Sequence, residues 1–238
     1  DTIQYTISSK FFEGTPVSYL NFNYNIGGVD YIDGAETTDK KGVKDIEFTP
    51  QYKSGYQNEQ YYYFSAYAEL PETGSIYIGD EFRVFFNDIY VTTGGRLEGT
   101  KGFIDVQADT ITLDRLNDGT SEDYNDYLDE PVKDLEVKAT IIRNEWIKTE
   151  RGEYYDFINK EVKMEYDYHL ETKNFKDVIV TTDETGKGLL EVELPKEENV
   201  YYTAELQMND NQDRLMNDTI YFGDYRRFEP NWGDYYHM

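Results

Sequence analysis

The sequence predicts an all-β protein made of two tandem antiparallel β-sandwich domains. Apolar residues alternate with polar ones at a period of two, and each alternating run ends at a cluster of Gly, Asn, Asp or Pro. One ordered set of motifs also occurs twice along the chain. Many short strands with frequent turn signals are typical of sandwiches, and the internal repeat indicates two related domains.

Seven runs alternate clearly enough to be predicted as strands. Side chains two residues apart on a strand share a face, so each run can bury one side and expose the other. Segment 154–161 is the one stretch with helical character, and it lacks convincing caps. The predicted strands are Thr2–Ser8, Leu20–Ile26, Phe82–Val91, Phe103–Ile111, Leu135–Ile141, Val162–Tyr168 and Leu190–Leu194.

The internal repeat consists of Pro-Val before a strand, a Thr-Thr-Asp-x-x-Gly turn, a short apolar strand and a Tyr-rich strand. The first copy starts at Pro16 and has its turn at 37–42; the second starts at Pro131 and has its turn at 181–186. In such a turn the Asp side chain can bond the backbone two residues on, and Gly accepts a positive φ. The wider spacing in the second copy predicts an insertion or a longer hairpin near 143–175.

The repeat sets the predicted domain boundaries. We expect a first sandwich over residues 1–97, a second over 98–228, and a C-terminal tail over 229–238. The Gly-rich stretch 94–100 marks the boundary, because clustered Gly interrupts regular structure.

Charge and composition exclude several classes of protein. The chain has 48 acidic and 23 basic residues, a net charge of −25, which disfavours nucleic acid and anionic membrane as partners. The absence of cysteine excludes disulfides, thiolate metal sites and thiol nucleophiles. No apolar run approaches the ~20 residues of a membrane helix, so direct membrane insertion is not expected. No basic N-terminal region is followed by an apolar stretch, so no signal peptide is predicted within this sequence, and because residue 1 is Asp we expect a processed or excised part of a longer protein.

No catalytic residue and no cofactor site is predicted. The two histidines, His169 and His237, form no His-Glu-x-x-His pattern, and neither a Gly-x-Ser-x-Gly elbow nor a phosphate-binding Gly-rich loop is present. Among 48 acidic residues, pairs of carboxylates arise by chance, so spacing identifies no glycosidase pair.

Calcium is the one ion that the sequence suggests. Asp114, Asp118, Asp123 and Asp126 lie in an acidic segment that ends at Glu130, and oxygen-rich loops of this kind can hold Ca²⁺. The EF-hand order is not met, and a solvated acidic loop is the favoured interpretation. No other metal site is predicted.

Clustered tyrosines raise a second question, whether the protein binds carbohydrate. They occur at 61–63, 154–155 and 235–236. Because consecutive strand residues point to opposite faces, at most every second ring in a run can share one surface. We expect the others to lie in the core.

The second copy resembles the macroglobulin-type (MG) domains of bacterial α2-macroglobulin-like proteins. The resemblance lies in Pro131-Val132, in Arg143-x-x-Trp146, in the turn 181–188, in Tyr201-Tyr202 and in the Asp210–Arg214 segment. The first copy matches fewer residues of the same pattern, and the two copies together cover most of the chain. The resemblance implies Ig-like, macroglobulin-type sandwiches and no enzyme activity.

The same resemblance implies a function. Such a chain would be a structural scaffold fragment of a secreted or cell-envelope (periplasmic or surface) bacterial protein that traps proteases around a cleaved bait segment. Its partners would be neighbouring domains of the parent chain, and target proteases through the full-length protein. Segment 143–175 is the one bait-like candidate, although its alternating, aromatic content favours an ordered hairpin.

Two alternatives remain. Tandem Ig-like domains of a bacterial surface adhesin or glycan-binding protein would be favoured by coplanar exposed tyrosines on one sheet. An enzyme, the third hypothesis, would require two close, buried carboxylates with raised pKa values.

Overall fold

The structure is all-β. It is a computed structural model that describes residues 2–28, 30–51, 59–70, 74–114 and 126–223. The fourteen elements bounded within these ranges are β-strands, and each pairing between them is antiparallel. The predicted fold class is therefore confirmed.

The chain divides into two compact units, Asp1–Asn87 and Asp88–Met238. In unit 1, a two-stranded sheet of order β1-β4 packs on a four-stranded sheet of order β3-β2-β5-β6. The core between them is strongly aromatic, and Tyr5 stacks on Phe64 with ring centroids 4.4 Å apart. The strands are β1 Ile3–Ser8, β2 Asn21–Gly27, β3 Ile32–Thr37, β4 Val43–Phe48, β5 Glu59–Leu70 and β6 Gly74–Phe85.

Unit 2 has the same plan with more strands. One sheet has the order β12-β8-β7, with β9 also paired to β8, and the other has the order β11-β10-β13-β14. Its core is mainly aliphatic and includes Ile89, Ile104, Ile141 and Leu206, all fully buried. The strands are β7 Ile89–Glu98, β8 Lys101–Ile111, β9 Leu128–Pro131, β10 Glu136–Asp156, β11 Glu161–Thr181, β12 Lys187–Glu193, β13 Val200–Asn209 and β14 Leu215–Tyr221.

A buried threonine closes the same turn in both units. The Thr182 hydroxyl donates to the Val132 carbonyl at 2.7 Å and accepts from the Leu135 N–H at 2.9 Å. Thr38 makes the equivalent pair of bonds at 3.2 and 2.9 Å. Both threonines are almost completely buried. The second Thr of each Thr-Thr-Asp motif therefore ties the Pro-Val segment to the turn.

The Asp and Gly of the motif are also equivalent. Asp183 Oδ1 accepts from the backbone N–H groups two and four residues on, at 2.7 and 3.1 Å, and Asp39 does the same at 2.7 and 2.9 Å. Gly186 has a φ of +73° and Gly42 a φ of +72°. Their backbone bonds match too, so β1 and β4 of unit 1 correspond to β8 and β12 of unit 2.

The change from unit 1 to unit 2 falls between Asn87 and Asp88, ten residues before the expected boundary. The Gly-rich stretch 94–100 lies in the β7–β8 hairpin instead. A Cβ atom at Gly95 would lie 2.5 Å from the Tyr221 carbonyl oxygen, so this Gly permits a close approach of β7 to β14. The predicted strand Phe82–Val91 is wrong, because it spans the end of β6 and the start of β7.

Segment 143–175 lies in the long β10–β11 hairpin, in which each strand has 21 residues. The helical expectation for 154–161 is wrong, because this segment contains the hairpin turn. Asp156 Oδ1 accepts from the N–H groups of Ile158 and Asn159 at 2.9 and 3.1 Å, and Lys160 has a φ of 57°. Residues 229–238 lie outside the described residues.

Candidate functional site

Half of the predicted calcium loop lies outside the described residues. Asp118 and Asp123 belong to the undescribed stretch 115–125, whereas Asp114 and Asp126 border it. Within the described ranges, no three His, Asp or Glu side chains converge as a metal site. The calcium loop therefore stays a prediction.

Within the described ranges, neither His169 nor the buried acidic residue takes part in a catalytic arrangement. His169 lies exposed on β11 with its Nε2 3.9 Å from a Glu171 carboxylate oxygen, and His237 lies outside the described residues. Asp210 is the one buried Asp or Glu in the described part of the chain. Its carboxylate accepts from Arg214 Nε at 2.6 Å and from the Arg214 backbone at 2.9 Å, which is a turn-closing role. In the same part of the chain, no helix is long and apolar enough to span a membrane.

The run of tyrosines on β5 divides between two faces, as predicted. Tyr62 and Phe64 are 1% and 2% exposed and lie in the core of unit 1, whereas Tyr61 and Tyr63 are 47% and 41% exposed. The exposed rings lie on the outer face of the four-stranded sheet. Tyr154 and Tyr155 lie on opposite faces of β10, but both are exposed, at 38% and 47%, so the expectation that one ring of each run lies in a core is wrong for this pair.

Four exposed tyrosines gather on that outer face, which we call the tyrosine face: Tyr61, Tyr63, Tyr67 and Tyr77. The first three are separated by even numbers of residues along β5, so they point to the same side of the sheet. Tyr77 of β6 lies directly opposite Tyr67. Residues directly opposite one another in an antiparallel pair share a face. Tyr77 belongs to no tyrosine run, so sequence reasoning missed it; only the β5–β6 register reveals its place.

Polar groups border these rings. Asn23 of β2 lies opposite Tyr67, and Asn25 lies opposite Ser65, so both amides belong to the tyrosine face. Beside them, a surface cavity of about 480 Å³ has Tyr67 and Glu69 in its lining. Aromatic rings with nearby amides and carboxylates offer apolar stacking together with hydrogen bonding, as sites that orient a small ligand require.

The phenol groups of the tyrosine face are held in place. The hydroxyls of Tyr63 and Tyr77 hydrogen-bond each other, and this bond raises the pKa of Tyr63 above its ordinary value. The Tyr67 hydroxyl donates to Glu69 Oε1 at 2.5 Å. At neutral pH Tyr63 is therefore an uncharged phenol whose hydroxyl can exchange its partner for a ligand group.

A second candidate surface is the outer part of the β10–β11 hairpin. β13 pairs with β10 only as far as Glu145, and beyond it β10 and β11 pair with each other. Their register runs from Trp146 opposite Leu170 to Asp156 opposite Glu161. We call residues 146–170 the β10–β11 arm. Its pairing, interrupted only by a register shift between Glu150 and Gly152, confirms the ordered hairpin that the alternating sequence favoured.

The two faces of the arm differ in chemistry. One carries ion pairs, with Lys163 Nζ 2.7 Å from Asp156 and Arg151 3.4 Å from Glu165. The other carries mainly apolar and aromatic side chains, and Lys148 lies there with its Nζ 3.5 Å from the Tyr166 ring centroid. At the tip, Phe157 and Ile158 are 84% and 81% exposed. By the register, the apolar residues of this face are Trp146, Tyr155, Val162, Met164, Tyr166, Tyr168 and Leu170, and the charged residues Lys148, Glu150 and Glu153 lie opposite some of them.

The Arg-x-x-Trp motif joins the base of the arm to the sandwich. Arg143 contacts Glu197 through Nη2 at 2.5 Å and Nε at 3.2 Å, and the Tyr202 hydroxyl donates to the same carboxylate at 3.1 Å. Burial raises the pKa of Tyr202 to about 12, and Glu197 adds to the shift. The backbone N–H of Trp146 donates to the Asn199 carbonyl at 2.9 Å. The motif is therefore structural.

Comparison with known proteins gives a fold similarity. No protein-family profile and no curated protein matches the chain. Among solved structures, native E. coli α2-macroglobulin aligns with 97% of the chain at a TM-score of 0.53 and 9% identity. E. coli α2-macroglobulin activated by porcine elastase aligns with 94% at 0.53 and 12%, and Salmonella α2-macroglobulin reacted with methylamine with 94% at 0.51 and 7%.

The structural alignments support a macroglobulin-like fold, and the low sequence identities support no conclusion beyond the fold. The alignments span 15%, 20% and 16% of the three macroglobulin chains. The chain therefore corresponds to a fifth or less of the length of the proteins whose fold it shares.

Proposed function

We propose that the chain is a structural scaffold segment of a bacterial α2-macroglobulin-like protein that traps proteases. The observation that supports this most is the fold similarity, which extends over both units and 97% of the chain. The repeat of one turn, closed by the same threonine, Asp and Gly contacts in each unit, agrees with a tandem array of macroglobulin-type domains.

The proposed contribution is mechanical. Each unit buries its own core, and a buried Thr hydrogen-bonds the Pro-Val segment to the turn. Each unit therefore stays rigid while another part of the parent is cleaved. The net charge of −25 keeps the outer faces solvated and disfavours self-association. The exposed apolar face of the β10–β11 arm is the proposed contact with neighbouring domains of the parent, and target proteases would be reached through the full-length protein. We place that protein outside the cytoplasm, secreted or in the cell envelope.

Protease treatment of the parent polypeptide tests this proposal. The expected result is first cleavage at one segment outside this chain, followed by compaction in size-exclusion chromatography and co-elution of the protease. Proteolysis with porcine elastase and with trypsin, mapped by mass spectrometry, provides the readout. A parent that keeps its hydrodynamic radius and releases the protease would contradict trapping. First cleavage within residues 146–170 would contradict the scaffold role and make the arm a bait.

A second function is favoured by the tyrosine face. We propose, as the alternative, that unit 1 binds glycans as part of a bacterial surface adhesin or glycan-binding protein. Its support is the presence of four exposed tyrosines and two asparagines on one sheet face. Sugar C–H groups stack on aromatic rings while amides bind hydroxyls.

Glycan-array screening followed by calorimetry tests the alternative. Tyr63→Ala and Tyr77→Ala should each weaken a positive glycan at least about tenfold, since each removes a stacking ring. Tyr31→Ala is the matched control, because Tyr31 is 69% exposed in the same unit but lies outside the tyrosine face. Equal affinity for the Tyr63 and Tyr31 variants, or an array without binding, would reject it.

A further inference from the structure

The unit 2 sheet that contains β8 has two strands, β7 and β9, more than the corresponding two-stranded sheet of unit 1. In unit 2, β8 pairs on one side with β12 and on the other with β7. In unit 1, β1 corresponds to β8 and pairs with β4, and within the described residues no strand lies on its other edge. The comparison of the two units therefore indicates what β1 could bind there.

Strand β7 completes the core of unit 2. Ile89 and Val91 are 0% and 4% exposed, and they lie opposite Thr110 and Ala108 of β8. Next to them, Met216 of β14 is buried as well. A strand at the edge of β8 thus supplies two apolar side chains, two residues apart, to the sandwich interior.

The equivalent region of unit 1 is open and apolar. Ile76 and Ile78 of β6 lie opposite Ala68 and Ala66, so they point to the core side of the sheet. Even so, they are 41% and 47% exposed, whereas the two alanines are buried. Core-facing isoleucines that remain exposed indicate a surface that a further element can cover.

A cavity lies at this place. It has a volume of about 330 Å³, and its lining includes Ile7, Phe11, Ala68 and Ile76. The backbone bonds of Ser9 with Gly42 match those of Ala108 with Gly186, so the position opposite Ser9 is the one that Val91 occupies in unit 2.

The edge of β1 lacks the usual protection of a free edge strand. Edge strands commonly carry charged residues or Pro, which prevent pairing with another chain. Strand β1, with the sequence IQYTIS, carries neither. The other edge strands in the described ranges all contain charged residues. A sequence of this kind is typical of a strand that is paired on both sides.

We propose that the β1 edge and its apolar cavity bind an extended strand of a partner polypeptide. The strand would run antiparallel to β1, donate and accept backbone hydrogen bonds along it, and place two apolar side chains, two residues apart, opposite Ser9 and Phe11. This is strand addition, in which the backbone supplies affinity and alternate side chains supply specificity. The proposal does not depend on either proposed function.

The test uses the 238-residue chain and a fluorescent peptide with the β7 sequence, residues 89–98. Anisotropy should show saturable binding, and hydrogen exchange should show new protection of the β1 amides that point away from β4. A control peptide with Ile89→Asn and Val91→Asn should bind at least about tenfold more weakly, because both apolar side chains lose their burial.

Matched variants of the protein locate the site. Ile76→Glu should weaken the peptide at least about tenfold, and Ile179→Glu, at an exposed Ile of β11, should leave binding unchanged. Four results would overturn the proposal: no saturable binding, equal binding of both peptides, equal binding to both variants, or protection, without peptide, of the β1 amides that point away from β4. In the last case, a dimer in sedimentation would identify a second copy as the occupant, and a monomer would identify another part of this chain.

Discussion

Replacing Thr182 by Val tests the turn that both units share. The substitution keeps the shape of the side chain and removes its hydroxyl. That hydroxyl donates to the Val132 carbonyl at 2.7 Å and accepts from the Leu135 N–H at 2.9 Å, and Thr182 is 2% exposed. Losing the bond to the Val132 carbonyl costs about 1 kcal/mol, and leaving the Leu135 N–H without its partner costs roughly 1–3 kcal/mol. We therefore expect the free energy of unfolding of unit 2 to fall by about 2–4 kcal/mol.

Urea denaturation followed by the fluorescence of Trp146 measures this loss in a Trp232→Phe background, which removes the second tryptophan, because Trp146 lies in unit 2. With an m-value of about 2 kcal/mol per molar, the midpoint should fall by roughly 1–2 M. Thr181→Val is the matched control, since it makes the same chemical change at the exposed neighbouring residue and should alter stability by less than about 0.5 kcal/mol. If the two variants unfold at the same midpoint, the assignment of Thr182 as the closing residue is wrong.

Further predictions concern unit 2. Gly186→Ala should destabilise unit 2 by more than Gly99→Ala. Both glycines have a positive φ, but only at Gly186 would an added Cβ collide with the backbone, at the Ala108 carbonyl oxygen. Equal urea midpoints for the two variants would refute this. Burial raises the pKa of Tyr202 to about 12, so its contribution to stability is complete below pH 10 and is lost as the pH rises through 12. Unfolding followed from pH 9 to 12 should show a smaller decline in Tyr202→Phe than in the wild type. Phe157→Ser should change stability by less than about 0.5 kcal/mol, since the side chain is 84% exposed, and a larger loss in thermal unfolding would mean that the tip is packed.

Much of the fold could be predicted because its causes are local. A period of two determines which side chains share a face, so the division of Tyr62 and Tyr63 between core and solvent followed from their order. The Asp39 and Asp183 turns depend on contacts within four residues, and their motif was readable twice. The helical expectation for 154–161 also failed for a local reason. A hairpin loop with an Asx turn can have apolar residues three and four positions apart in sequence, and that spacing is the one that indicates a helix.

The candidate sites depend on contacts that are distant in sequence. The tyrosine face needs Tyr77 to lie opposite Tyr67, and that is set by the register of β5 with β6. The alternating run from Phe82 to Val91 did not reveal that one strand ends and another begins within it.

The sequence by itself therefore determined the all-β class, the repeated turn and, in the strands that it identified, the side that faces the core, because these follow from the alternation of side chains and from backbone bonds within a few residues. Only the tertiary structure decided which strands are neighbours, how far the β10–β11 arm extends beyond β13, and that the β1 edge lies beside an apolar cavity. Strand partners are selected by the burial of surfaces that are distant in sequence, and alternation along one strand does not encode that choice.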